Sequence, residues 1–193
     1  GLSVGAEYVG REAILGYGCV RDGHKQTHGT MTLGIAAGTG FSTDYRGIAW
    51  ESDICLVANA TSSDEEFIAE EDKYKYTSAT DALGFKYIFD YAESVGKPCV
   101  ISFSEGAKQD FAGDDKLFYE VLDSLTGPGR ILVASAGNEG QTNCHLRKPS
   151  GQASQGTFVV GKNENVYFQM KSATPFTIRT IVYSQRPDTV LIE

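Results

Sequence analysis

The sequence lacks any apolar run of about eighteen residues, the length that a membrane-spanning helix requires. It also lacks an excess of basic residues, because 17 Lys and Arg stand against 25 Asp and Glu, for a net charge of −8. A chain of this charge is poorly suited to bind nucleic acid or an anionic membrane surface. We therefore predict neither a membrane span nor a nucleic-acid partner.

Cysteine is scarce, and its spacing argues against a zinc site. No C-x-x-C pair occurs among Cys19, Cys55, Cys99 and Cys144. Cys55 and Cys99 fall inside apolar runs and are predicted to be buried thiols, so the cysteines leave the redox compartment open. Residues 1–5 show no signal-peptide pattern, which fits a removed leader or a chain that starts late.

The length of 193 residues and the 41% share of hydrophobic residues predict one sizeable folded domain. Three short apolar runs, at 54–58, 99–103 and 131–134, are predicted strands. Two amphipathic helices are predicted between them, one over 78–95 and one that Asp114 caps and that reaches residue 125. Strands that alternate with helices through short links indicate a parallel sheet, in which ligands bind beyond the carboxyl ends of the strands. Ser104 and Asn138 both follow such ends and are predicted to share one cleft.

The character of the sequence changes after residue 157. A further strand of the parallel sheet is predicted at 158–160. Short, β-branched and partly alternating segments then predict an antiparallel unit, with strands at 166–170, 176–183 and 189–192. We therefore predict a boundary between a first domain, residues 1–161, and a β-rich segment, residues 162–193.

Six carboxylates are concentrated within nine residues. They are Asp64, Glu65, Glu66, Glu70, Glu71 and Asp72. Three interpretations stay open: a solvated loop, a structural calcium site, or an acidic rim that favours basic peptides. No other metal or cofactor is predicted.

Residues 27–38, THGTMTLGIAAG, predict a helix that Thr27 caps and whose first turn holds His28. Gly29 and Gly34 each cost such a helix about 1 kcal/mol relative to Ala, which suggests that something packs close to its backbone. A histidine that titrates near neutral pH is suited to act as a general base. The plainer interpretation is that His28 is an ordinary histidine at the start of a helix.

A second stretch, residues 135–140 with the sequence SAGNEG, directly follows the apolar run at 131–134. Together with the histidine segment it resembles the subtilisin-like serine proteases, the subtilases. The segment 27–34 is similar to the family's catalytic-histidine helix, and 136–140 to the strand end that carries its oxyanion-hole asparagine. Residues 46–49, RGIA, resemble the family's G-[VI]-A turn, and 102–106, SFSEG, resemble the strand end that lines its substrate cleft.

The resemblance implies a partial subtilisin-like α/β domain: a parallel sheet with helices on both faces, followed by a short antiparallel β-rich segment like the insertion of some secreted members. It implies peptide-bond hydrolysis, with His28 as base and Asn138 as oxyanion donor. The residues implied to line the peptide cleft are Ser102, Ser104, Glu105, Gly106, Ala136 and Gly137. The implied location is secreted or in a bacterial cell envelope, and the implied partners are a peptide or protein substrate and the rest of the same catalytic domain.

Two members of the family's catalytic triad are not found. Asp22 is the only aspartate before His28, but no apolar strand precedes it, so it is not assigned. No G-T-S-M-A stretch follows Asn138, and Ser135, Ser150 and Ser154 lie in other surroundings. We therefore expect a piece of a longer protease that is inactive alone. The alternatives are a non-catalytic subtilase-like module that binds peptides, and a generic α/β binding domain in which both motifs are coincidental.

Overall fold

The computed structural model describes residues 5–18, 27–59, 68–75, 78–105, 115–138, 140–159, 168–182 and 188–192. The elements in chain order are α1 Arg11–Tyr17, α2 His28–Ala37, a 3-10 helix Glu70–Lys75, α3 Ser78–Ser94, β1 Cys99–Phe103, α4 Lys116–Leu125, β2 Arg130–Ala134, β3 Ile178–Val182 and β4 Asp188–Ile192. The chain divides into two compact units, one of residues 1–106 and 115–137 and one of residues 107–114 and 138–193. None of the helices within the described ranges has both the length and the hydrophobicity of a membrane-spanning segment.

The centre of the first unit is the parallel pair of β1 and β2, with Cys99 opposite Arg130 and Phe103 opposite Ala134. Both strands were predicted from their apolar runs, and the parallel pairing is confirmed. Helix α3 was predicted over 78–95 and ends at Ser94, where Gly96, with a positive φ of 67°, follows it.

The core lies on one face of this sheet. Phe85 and Phe89 of α3 and Ile101 of β1 are buried together. The partly buried residues packed against them include Phe118 and Leu122 of α4, so both helices cover the same face. The ring of Phe103 meets the ring of Phe85 edge-on, with 5.0 Å between the ring centroids, a favoured arrangement of two aromatic side chains.

The opposite face of the sheet is less covered. Val100, Ile131 and Val133 project from alternate positions of the two strands and are 64%, 51% and 54% exposed. Helices on both faces were predicted, but among the described residues α3 and α4 both pack on the face that carries Ile101.

Helix α4 begins one residue later than predicted. Its N-cap is Asp115, whose side chain accepts a hydrogen bond of 3.1 Å from the backbone N–H of Phe118. Asp114 was the predicted cap and lies outside the described residues. Adjacent aspartates are equally suited to this role, so composition alone does not distinguish them.

The predicted strand at 54–58 is wrong as secondary structure, because the structure assigns no strand there. The segment nevertheless follows a course beside α3 and the start of β1. Asp53 forms an ion pair with Lys97, and Asn59 donates a side-chain hydrogen bond to Asp81 in the first turn of α3. Side-chain contacts therefore hold this segment in place. It is not a strand, because a strand is defined by backbone hydrogen bonds to a neighbouring strand, and this segment has none among the described residues.

The second unit contains the antiparallel pair of β3 and β4, with Ile178 opposite Ile192 and Val182 opposite Asp188. The strand predicted at 158–160 is wrong for its described part, since residues 158 and 159 belong to no strand, and residues 168–170 of the strand predicted at 166–170 are also irregular. These short apolar runs have no strand partner among the described residues, and pairing is what a strand requires. The boundary between residues 161 and 162 stays a prediction.

Candidate functional site

His28 is the first residue of α2, and its side chain is exposed. The backbone carbonyl of Thr27 accepts the N–H of Met31 at 2.9 Å, which starts the helix, although the Thr27 hydroxyl does not cap it. His28 has no hydrogen bond or ion pair to another side chain of the described residues. The imidazole is thus held at a helix end and open to a reaction partner.

The rest of α2 carries no charged side chain. Only Ala37 of this helix is buried, while Met31 and Ile35 are 55% and 65% exposed. The close packing expected at Gly34 is not found in the part of the chain that the structure describes, because a Cβ there would meet no atom within 4 Å. An apolar helix is usually buried, so α2 offers a surface that its described surroundings leave largely uncovered.

The carboxyl ends of β1 and β2 lie side by side. The N–H of Ser135 donates a hydrogen bond of 3.0 Å to the carbonyl of Phe103, which extends the pairing by one bond past the strands. Ser104 and Ala136 follow at this shared edge, and both are exposed. Ser102 lies opposite Val133 within the sheet. The structure therefore brings Ser104 and Ala136 to one sheet edge, with Ser102 inside the ladder beside them.

Gly137 has a positive φ of 86°, a backbone conformation that residues other than glycine rarely adopt. It is the last residue of the first unit, a short way past the end of β2. Asn138, which is exposed, begins the larger segment of the second unit. Glu105 is exposed at the end of the segment after β1. Gly106, also a predicted cleft residue, lies outside the described residues.

The acidic segment falls only partly within the structure, since Asp64, Glu65 and Glu66 lie outside the described residues. Glu70 forms an ion pair of 2.8 Å with Lys73 one turn later in the 3-10 helix. Across the described part of the chain, no group of three or more His, Cys, Asp or Glu side chains is placed to hold a metal ion. The described carboxylates therefore provide no calcium cage.

Cys55 and Cys99 are half-buried free thiols, and Cys144 is an exposed one; Cys19 lies outside the described residues. Burial raises the pKa of the Cys55 thiol, and the nearby Cys99 and Glu7 raise it further by smaller amounts. Burial also raises the pKa of Cys99. Both thiols are therefore kept protonated, which disfavours them as nucleophiles or metal ligands.

Comparison with known proteins decides the family. The model of the subtilase family matches residues 21–187 of this chain. The chain belongs to the subtilase family. The comparisons with curated proteins and with solved structures found no match.

Membership in the subtilases gives a general activity, serine-type proteolysis, and an α/β architecture of which the parallel pair of β1 and β2 is a part. The match includes both the helix that His28 begins and the strand end before Asn138. One feature of the histidine helix was missed by sequence reasoning: the backbone of residues 47–49 binds its carboxyl end. The RGIA sequence marked a turn there but not its partner, since a contact across a loop leaves no local periodicity.

Proposed function

We propose that this chain is part of a subtilisin-like serine endopeptidase in which His28 is the general base. The observation that carries the proposal is the position of His28, exposed at the first residue of α2 within the segment that matches the family. The imidazole takes the proton of an attacking serine hydroxyl and then delivers it to the leaving amine. The serine oxygen bonds to the peptide carbonyl carbon to give a tetrahedral intermediate, which becomes the acyl-enzyme as the C–N bond breaks. Water later attacks the acyl group and releases the acid and the free serine.

The proposed oxyanion donor is the side-chain amide of Asn138. Such a donor stabilises the negative oxygen of the tetrahedral intermediate, and removal of one typically lowers the rate by about 100- to 1000-fold. Ser102 in β1 and Ser104 and Glu105 after it, with Ala136 and Gly137 after β2, are proposed to hold the substrate main chain as an added strand. Gly106 belongs to the same proposal. The exposure of Ser104, Ala136 and Gly137 where the two strands end supports it, because main-chain recognition needs accessible backbone.

The proposal assigns the triad Asp and Ser to residues that this chain does not contain. The 193 residues are then inactive alone, and their partners are a peptide or protein substrate and the remainder of the catalytic domain. No cofactor is required for this chemistry, and a calcium ion near the acidic segment would be structural only. We further propose that residues 162–193 begin a β-rich insertion, that helices cover both faces of the complete sheet, and that the protein acts outside the cell or in the cell envelope.

The test is labelling of the full-length protein of this gene with a fluorophosphonate probe, which bonds to an activated serine. We expect labelling of the wild type and its loss in His28→Ala. His145→Ala is the matched control, because His145 is another exposed histidine and has no assigned role. A folded full-length protein that never labels would support a non-catalytic peptide-binding subtilase instead.

The 193-residue chain is a second test of the same proposal. Without an aspartate to orient His28 and a serine beside it, we expect no cleavage of a peptide substrate. Cleavage that His28→Ala abolishes would show that the missing roles are filled within these residues.

A further inference from the structure

The carboxyl end of α2 is bound by a segment that comes back to it after a loop. The N–H of Gly47 donates to the carbonyl of Gly38 at 2.8 Å. The N–H groups of Ile48 and Ala49 donate to carbonyls within the helix, those of Ile35 at 3.2 Å and Ala36 at 2.8 Å. The last carbonyls of a helix have no partner within it, so these bonds satisfy groups that would otherwise need water or a side chain. We call residues 47–49 the helix clasp.

Glycine is required in the clasp because of space. Gly47 is buried, and a Cβ added there would lie 2.5 Å from the N atom of Gly38 and 2.6 Å from that of Ala37. Its φ is not in the left-handed region, so backbone conformation makes no such demand. The obstructing atoms are backbone atoms of a helix end, which cannot rotate away as a side chain can. Any side chain at residue 47 therefore requires the clasp or the end of the helix to shift.

The contacts that fix α2 are concentrated at this end. Ala37 is the only buried residue that the structure describes in this helix, and it lies beside Gly47. The clasp segment is itself supported, since the guanidinium of Arg46 lies over the ring of Trp50, 4.3 Å from its centroid. Within the described residues, the clasp thus supports the orientation of α2 from its carboxyl end.

His28 lies at the opposite end of the same helix. At about 1.5 Å per residue, the two ends are roughly 14 Å apart, so a tilt of about 10° at the clasp moves the imidazole by about 2 Å. A displacement of only about 1 Å can lower the rate of a positioned reaction by about 100-fold. We propose that Gly47 is a positioning residue for His28, which it holds in register through the clasp. This inference rests on the proposed role of His28 as the base.

The first experiment measures the clasp in the 193-residue chain by amide hydrogen exchange. We expect the amides of Ile48 and Ala49 to be protected in the wild type and to exchange at least about 10-fold faster in Gly47→Ala, with the amide of Leu132 in β2 unchanged. Gly16→Ala is the matched control, because a Cβ at Gly16 in α1 would meet no atom within 4 Å. Equal protection of the Ile48 and Ala49 amides in Gly47→Ala and wild type would contradict the conclusion that the clasp requires glycine at residue 47.

The second experiment measures catalysis in the full-length protein. We expect Gly47→Ala to lower kcat by about 10- to 100-fold with little change in KM, because the proton transfer and not substrate binding is disturbed. In a His28→Ala background the same substitution should have no further effect on the residual rate. An equal fall in both backgrounds would mean a general effect on the fold and would overturn the positioning role.

A variant at a different residue covers the case in which Gly47→Ala does not fold. Ile48→Pro removes the N–H that bonds to Ile35, while the side chain of Ile48 is 91% exposed and fills no space in the clasp. Ile48→Ala keeps the N–H and removes most of the side chain, so it shows how much of any loss in kcat is due to the side chain and not to the N–H. We expect only the proline variant to lower kcat. Full activity of Ile48→Pro would overturn the positioning role alone, whereas full activity of His28→Ala would overturn the proposed base and this inference with it.

Discussion

At the scale of single residues, the burial of aromatic side chains determines what a substitution costs. Phe89 is 2% exposed and lies in the core, whereas Phe41 is 98% exposed. We expect Phe89→Ala to lower the free energy of unfolding by about 3 kcal/mol, through lost burial and the cavity left behind. Phe41→Ala is the matched control and should change it little. Urea unfolding followed by the fluorescence of Trp50 measures both, and equal effects would contradict this core.

Asp81 gives the first unit a pH dependence of stability. Burial raises the pKa of this carboxyl above its ordinary value of 3.8, although the hydrogen bond from Asn59 acts in the opposite direction. A raised pKa means that the folded state binds the proton more tightly than the unfolded state. The tighter binding of this proton stabilises the folded state. That stabilisation is complete below pH 3.8 and is lost as the pH rises through the raised pKa of Asp81.

The corresponding experiment compares Asp81→Asn with the wild type in urea unfolding across this acidic range. We expect the wild type to lose stability relative to the variant as the pH rises, and the difference to level off above the raised pKa. Asp123→Asn, at an exposed position of α4, controls for the loss of one charge. A difference that grows as the pH falls would contradict the direction of the shift.

At the scale of elements, the start of α4 depends on one side chain. Asp115 accepts the N–H of Phe118, so Asp115→Ala leaves that donor without its partner. We expect a loss of about 1 kcal/mol in the free energy of unfolding. Asp123→Ala, within the same helix, should instead gain about 0.5 kcal/mol from helix propensity. Thermal unfolding followed by circular dichroism distinguishes the two, and similar losses would argue against the cap.

Elements whose signal is local were predictable from the sequence. The stripe of α3 repeats every three or four residues and stops at Gly96, and the run at 99–103 is an observed strand. The run at 54–58 is just as apolar but has no ladder, because pairing depends on a neighbour and not on the run itself. The same reason applies to the residues at 158 and 159.

The helix that carries His28 was predictable from a short motif. The sequence around His28 predicts a helix that begins there, and the structure confirms those bounds at Thr27 and His28. The need for glycine at residue 47 was not predictable, because the atoms that forbid a side chain belong to Ala37 and Gly38 across a loop. Close approach between distant backbones is a tertiary property, which hydrophobic periodicity does not record.

At the scale of the whole molecule, the thiols of the two units differ in accessibility. Cys55 and Cys99 in the first unit are half-buried with raised pKa values, whereas Cys144 in the second unit is exposed. Because the thiolate is the reactive form, we expect iodoacetamide to modify Cys144 well before Cys55 or Cys99 in the folded chain. Peptide mapping by mass spectrometry gives the order. In denaturant the three should react alike, and an unchanged order there would contradict the role of burial.

The clasp also has a consequence for engineering. Since Gly38 and Gly47 meet backbone to backbone, the intervening residues 39–46 form a loop whose two ends are already joined. The cost of lengthening such a loop grows only slowly with the number of added residues. Phe41 in this loop is exposed, so an epitope or a fluorescent reporter can be inserted there. Such an insertion would lie beside α2 and leave the hydrogen bonds of the helix clasp intact.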